Sequence, residues 1–137
     1  MNMTDEATQV IGMHHVGVLV ADTQRALAFY RDILGLRQLE RPPLAYPGAW
    51  LDLGQGQQLH LMELPNPDSP ERPAHGGRDR HLALQVADLQ ALQQQLAAAD
   101  IAYTASASGR AALFCRDADG NTLELLEAES AQHKRET

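Results

Sequence analysis

The chain has one cysteine in 137 residues, Cys115, so no internal disulfide can form and stability must come from packing. Basic residues are scarce. Eleven Lys and Arg stand against eighteen Asp and Glu, a net charge of −7, and there is no basic stripe of the kind phosphate backbones attract. Nucleic acid is therefore excluded as an expected partner. Long hydrophobic runs are also missing: the longest strongly apolar stretch, Val16 to Ala21, falls far short of the roughly 20 residues of a membrane-spanning helix. No charged-then-apolar leader opens the sequence, and a soluble protein of a reducing cytoplasm is the expectation. Both ends, Met1 to Gln9 and Glu129 to Thr137, are polar and aperiodic and read as frayed tails. What remains is 44% hydrophobic, ample for one core.

The chain repeats itself. His15-Val-Gly-Val-Leu-Val-Ala-Asp22 aligns without gaps on His81-Leu-Ala-Leu-Gln-Val-Ala-Asp88, an offset of 81 − 15 = 66 residues. Each stretch ends in an aspartate suited to cap a helix. Ala26, Phe29, Tyr30, Ile33 and Leu34 then recur at helical spacing, closed by Gly35, and Leu89, Leu92, Leu96 and Ala99 do the same. Alternating segments follow: Leu36 to Glu40, Gly48 to Leu53 and Gln58 to Leu64, then Ile101 to Ala105, Ala111 to Arg116 and Thr122 to Glu127. The spacing predicts two β-α-β-β-β modules, at 11–64 and 78–128, forming one compact α+β domain. Between them, at 65–77, the proline-rich stretch that starts at Pro65 and runs to Pro73 predicts an extended linker.

Strand parity assigns faces. Val16, Val18 and Val20 belong on the helix side and His15 on the other. In the second half Leu82, Leu84 and Val86 face the helix and His81 does not. In the last strand of each half His60 opposes Leu59 and Leu61, and Glu124 opposes Leu123 and Leu125. His15, His60, His81 and Glu124 are thus candidate ligands on helix-free faces, two per half. A single strand histidine is more often structural than ligating, and the duplication reverses that for the set. Three imidazoles and a carboxylate suit nickel, zinc, cobalt, manganese or iron better than magnesium or calcium.

Other residues receive plainer readings. Parity puts His14 on the helix side, structural or exposed at the start of the strand, while His75 and His133 read as surface histidines. Cys115 reads as a buried inert thiol. The Asp117-Ala-Asp-Gly-Asn121 run is too short for a calcium loop and predicts a hairpin turn. Arg78, Arg80 and Arg110 are weak candidates for holding an anionic substrate.

The opening His15 to Asp22 stretch, the helix ending Phe29-Tyr30-Arg-Asp-Ile-Leu-Gly35, the His81 strand and Asp117-Ala-Asp-Gly-Asn-Thr-Leu-Glu124 together resemble the glyoxalase I / bleomycin resistance / extradiol dioxygenase superfamily, the vicinal oxygen chelate proteins. The resemblance runs from about Gly12 to Glu127. It implies paired β-α-β-β-β modules forming an open curved mixed sheet around a metal, usually in a homodimer whose sites can be assembled across the subunit interface. Carried over by position, the metal ligands are His15, His60, His81 and Glu124. The sequence departs from glyoxalase I at His60, where a carboxylate or amide is usual, and at Ala118, where proline is.

Three activities follow as expectations. In the first, a glyoxalase-I-like lyase or isomerase acts on the hemithioacetal of glutathione and a 2-oxoaldehyde through an enediolate, with Glu124 as the base. In the second, His15, His81 and Glu124 form an iron triad for ring-cleaving oxygenation, which a fourth ligand at His60 disfavours. In the third, the cleft binds a small aromatic drug without catalysis, a role that needs no metal ligands.

Overall fold

The structure, a computed structural model, describes residues 9–129; His133 and nearly all of both expected tails lie outside them. The first half contains β1 (His15–Leu19), α1 (Thr23–Leu27), β2 (Arg37–Leu39), β3 (Gly48–Gly54) and β4 (Gln57–Met62). The second contains β5 (Leu82–Val86), α2 (Leu89–Ala98), β6 (Tyr103–Ala105), β7 (Ala112–Arg116) and β8 (Thr122–Glu127). Each half forms a four-stranded mixed sheet, ordered β1-β4-β3-β2 and β5-β8-β7-β6. In both, the first strand runs parallel to the last and the remaining pairs are antiparallel.

The helix starts are capped twice over. Asp22 and Asp88 are extended and accept from the backbone N–H of Arg25 and Ala91, each at 3.0 Å. Glu63 and Glu127, just after or at the end of the last strand of each half, accept from the first helical N–H groups, Thr23 at 2.8 Å and Leu89 at 3.2 Å. Carboxylates there meet the positive end of the helix dipole.

The first helix differs from a uniform α-helix. After Leu27 it widens into a π-helical segment, Ala28–Ile33, with Leu34 N–H bonding to the Phe29 carbonyl at 3.0 Å. The wider turn lets the neighbouring Phe29 and Tyr30 both face inward, at 7% and 0% exposure. Gly35 follows with φ +80°, as a helix terminator requires.

One core lies between the helix-covered faces. Leu59, Leu61, Leu123 and Leu125 from the last strands join Leu27, Tyr30, Leu92 and Leu96 in a single buried cluster, with Val16, Val18, Leu82, Leu84 and Val86 packed at its margin. The apolar residues that parity put on the helix side therefore lie in or against this core. Both sheets spend their apolar faces on this shared core, so their other faces point away from it. The halves are fastened at the Asp117–Asn121 turn: Asp117 accepts from the Tyr30 hydroxyl at 2.7 Å, and Asn121 donates to the Leu19 carbonyl at 2.9 Å. Asp119 accepts from the Ala21 N–H and from Arg25, each at 3.0 Å.

The connection between the halves lacks regular structure until a 3₁₀ turn at Gly76–Arg78. His75 is here more than a surface residue: half-buried, it accepts from the Gly77 N–H at 2.9 Å and meets the Phe114 ring edge at 5.2 Å. Gly76 is buried where a Cβ would lie 2.7 Å from Thr122 and 2.9 Å from Phe114. Only glycine lets this turn seat on β7 and β8, and the seating delivers the chain to His81.

Candidate functional site

The open face of the second half brings His81 and Glu124 together. Strand β8 lies beside β5, so Glu124 pairs in register with Ala83, two residues past His81 and on the same face. His81 Nε2 lies 3.4 Å from Glu124 Oε1, close to the separation of two donors each about 2.1 Å from one ion. The Asp79 carbonyl accepts a bond from His81 Nδ1 at 2.8 Å. A carbonyl can only accept, so a proton sits on Nδ1, and Nε2 is the ring nitrogen turned toward Glu124.

Asp79 is itself held firmly. Its carboxylate pairs with Arg116 at 2.7 Å and Arg72 at 2.8 Å and accepts from Thr122 at 3.2 Å. The Arg116 guanidinium, reinforced by Arg72, keeps this carboxyl far below the usual range against the opposing effect of desolvation. Glu124 is 5% exposed and bonds through Oε2 to Arg110 at 2.9 Å, while Arg110 Nε donates to Ser108 at 3.0 Å. Of the three arginine candidates, Arg110 reaches the site. Arg80 instead pairs with Asp68 of the linker, and Arg78 is exposed without an ion pair among the described residues.

The first half is arranged differently. His15 and His60 stack with ring centres 4.0 Å apart and planes 16° from parallel, and Trp50 covers the other side of His60 at 4.2 Å. His60 Nε2 meets the Gln58 amide oxygen at 2.9 Å, and His15 Nδ1 meets His14 Nδ1 at 2.8 Å. His14 is exposed at the start of β1 and linked directly to a candidate ligand. Lone pairs of stacked rings lie in parallel planes, so His15 and His60 need one ring to turn before both can meet the same ion. Burial first, then the charges of His15, His14 and Arg41, lowers the His60 pKa and favours the neutral imidazole, the form that coordinates cations.

The four candidates thus form two pairs, and among the described residues no three His, Cys, Asp or Glu surround one metal position. The donor types still fit a transition metal, with His81 and Glu124 already spaced for one. Cys115 is 3% exposed, and burial pushes its thiol up to about 12. The sequence reading overlooked Trp50, Asp79 and Arg41. Pairing β3 with β4 about the glycines at 54 and 56 would have put Trp50 opposite His60; Asp79 and Arg41 lie in irregular segments with no periodic signal.

Duplicated β-α-β-β-β modules with histidine and glutamate on the helix-free faces define a class of paired-module proteins. The chain belongs to the Glyoxalase/Bleomycin resistance protein/Dioxygenase superfamily, whose family model matches residues 12–125. It is 29% identical over 125 residues to Glyoxylase I 4 of Arabidopsis thaliana, covering 86% of this chain and 71% of that protein. It is also 29% identical over 126 residues to a lactoylglutathione lyase of Haemophilus influenzae, covering 86% and 93%. A glyoxalase family structure from Bacillus anthracis superposes with a TM-score of 0.73 at 23% identity, covering 89% of this chain and 98% of that one. The fold is shared at 17% identity with a variant of the fosfomycin resistance protein FosX from Listeria monocytogenes, solved with Mn(II) and 1S,2S-dihydroxypropylphosphonic acid; the TM-score is 0.69 and the coverage 93% and 100%.

Proposed function

We propose that the protein is a metal-dependent lyase or isomerase acting on the hemithioacetal of glutathione and a 2-oxoaldehyde. The His81 and Glu124 pair carries this reading, with Nε2 and a carboxylate oxygen 3.4 Å apart. We further propose that the site is completed in a homodimer, His15 and His60 coming from one chain and His81 and Glu124 from its partner. Support comes from the separation of the candidates into two pairs, with no three of them around one metal position among the described residues.

A divalent metal held by these residues supplies a Lewis acid for the substrate's carbonyl oxygen. Glu124 is the one carboxylate in the set and serves as the base, taking the proton from the carbon beside that carbonyl and returning it to the neighbouring carbon. Arg110 holds Glu124 in orientation until substrate arrives. Where His60 stays off the metal, its neutral ring can accept or relay a proton on the same face.

The test is metal content of protein purified without chelators, together with hemithioacetal turnover, in the wild type and in Glu124→Gln. About one divalent ion per chain and turnover that falls at least about a hundredfold in the variant are expected. Full turnover in a Glu124→Gln protein that retains metal rules out this role.

A further inference from the structure

Nine arginines lie among the described residues, and seven of them pair with a carboxylate. Arg78, one of the two exceptions, is exposed, where water solvates the charge at little cost. Arg41 is the other. It is half-buried, in the loop between β2 and β3, and its Nε is a buried nitrogen with no hydrogen-bond partner among the described residues.

The side chain is nonetheless held in one place. Nη2 donates to the Tyr46 carbonyl at 2.7 Å, and the guanidinium lies over the Tyr46 ring, 5.1 Å from its centre. Gly48 makes the space: a Cβ there would stand 3.2 Å from Arg41 Nη2 and 2.2 Å from the Leu61 carbonyl oxygen. Gly48 and Trp50 alternate onto the same face of β3, and Trp50 stacks on His60. A pre-positioned cation with no carboxylate partner among the described residues therefore lies on the same face of β3 as Trp50, which stacks on His60.

An immobilised, partly desolvated charge is costly unless an anion meets it. The net charge of −7 means the chain as a whole does not gather anions, so attraction has to be local. With Nε buried and Nη2 already tied to Tyr46, the outer edge of the guanidinium remains for a planar two-oxygen acceptor.

We propose that Arg41, seated in the space left by Gly48, is a binding residue for the carboxylate of a small-molecule ligand on the open face of the first half. This site goes beyond the reaction proposed above and stands whichever chemistry that face supports.

Trp50 is the only tryptophan, so its fluorescence reports from this face. The full chain is titrated with phenylacetate, with its neutral analogue 2-phenylacetamide and with inorganic phosphate. Phenylacetate is expected to bind about tenfold more tightly than the amide. Arg41→Gln should bring the two within about twofold, while Arg37→Gln, which removes an exposed arginine paired to Asp52, keeps the preference. A preference that survives Arg41→Gln, or no phenylacetate binding to the wild type, overturns the proposal. Phosphate displacing phenylacetate at comparable concentration overturns the carboxylate assignment. If Arg41→Gln does not fold, Arg41→Met keeps the length of the side chain without the charge, and an unchanged preference in that variant is equally fatal.

Discussion

The Nδ1 proton of His81 is fixed by a backbone carbonyl, and that carbonyl belongs to a residue clamped by two arginines. Asp79→Ala frees the segment carrying His81 while leaving every candidate ligand in place. Metal affinity is expected to fall about tenfold or more, as for other residues that orient ligands, and calorimetric titration of zinc measures it. Cys115 gives a second residue-scale prediction. With its thiol pushed up to about 12, the folded protein should resist iodoacetamide at pH 8 and react only in denaturant, as intact mass would show. His15, His60, His81 and Glu124 were legible as candidates because strand parity and the repeat both mark them, but their separation into two pairs was not. The supports were not: Asp79 acts through its main chain and through partners 37 and 43 residues away, at Arg116 and Thr122, and nothing local in the sequence records such contacts.

At the scale of elements, each helix begins at an aspartate cap backed by a glutamate from the last strand of the same half or the residue after it. Asp88→Ala is expected to cost about 1 kcal/mol, read from chemical denaturation. The caps were legible from Asp22 and Asp88, whereas nothing local in the sequence marks Glu63 and Glu127 as their partners. The π-helical widening at Ala28–Ile33 was not legible, because Ala26, Phe29, Tyr30 and Ile33 fit an α-helical stripe equally well. Its consequence is the buried Tyr30, whose hydroxyl bonds to Asp117. Burial, then the charge of Asp117, raises the Tyr30 pKa well above its usual 10.0. The folded state therefore keeps a proton that the unfolded chain releases above about pH 10. Stability from this group is full below that pH and declines as pH rises toward the folded value. Tyr30→Phe should lower stability at pH 7 by about 1–3 kcal/mol and flatten the alkaline decline, both measurable in denaturant melts at stepped pH.

For the whole molecule, a division of labour between chains is directly testable. If each site takes its first pair from one chain and its second pair from the other, His15→Ala and His81→Ala proteins should each be inactive alone. Unfolded and refolded together in equal amounts, they should recover about a quarter of wild-type activity, since half the dimers are mixed and each mixed dimer has one intact site. No recovery would mean that each site lies within one chain. The repeat made the two modules legible, but not how they join, because joining depends on contacts such as Asn121 to Leu19, 102 residues apart. That joint is lopsided. The Asp117–Asn121 turn grips the first half through three side chains, whereas the corresponding turn there, at residues 54–56, is Gly-Gln-Gly and has no carboxylate to return the grip. A descendant made by replacing the second half with a copy of the first would have matching strands and helices but no clasp. The two halves, alike in strands and helices, are therefore not interchangeable at this joint.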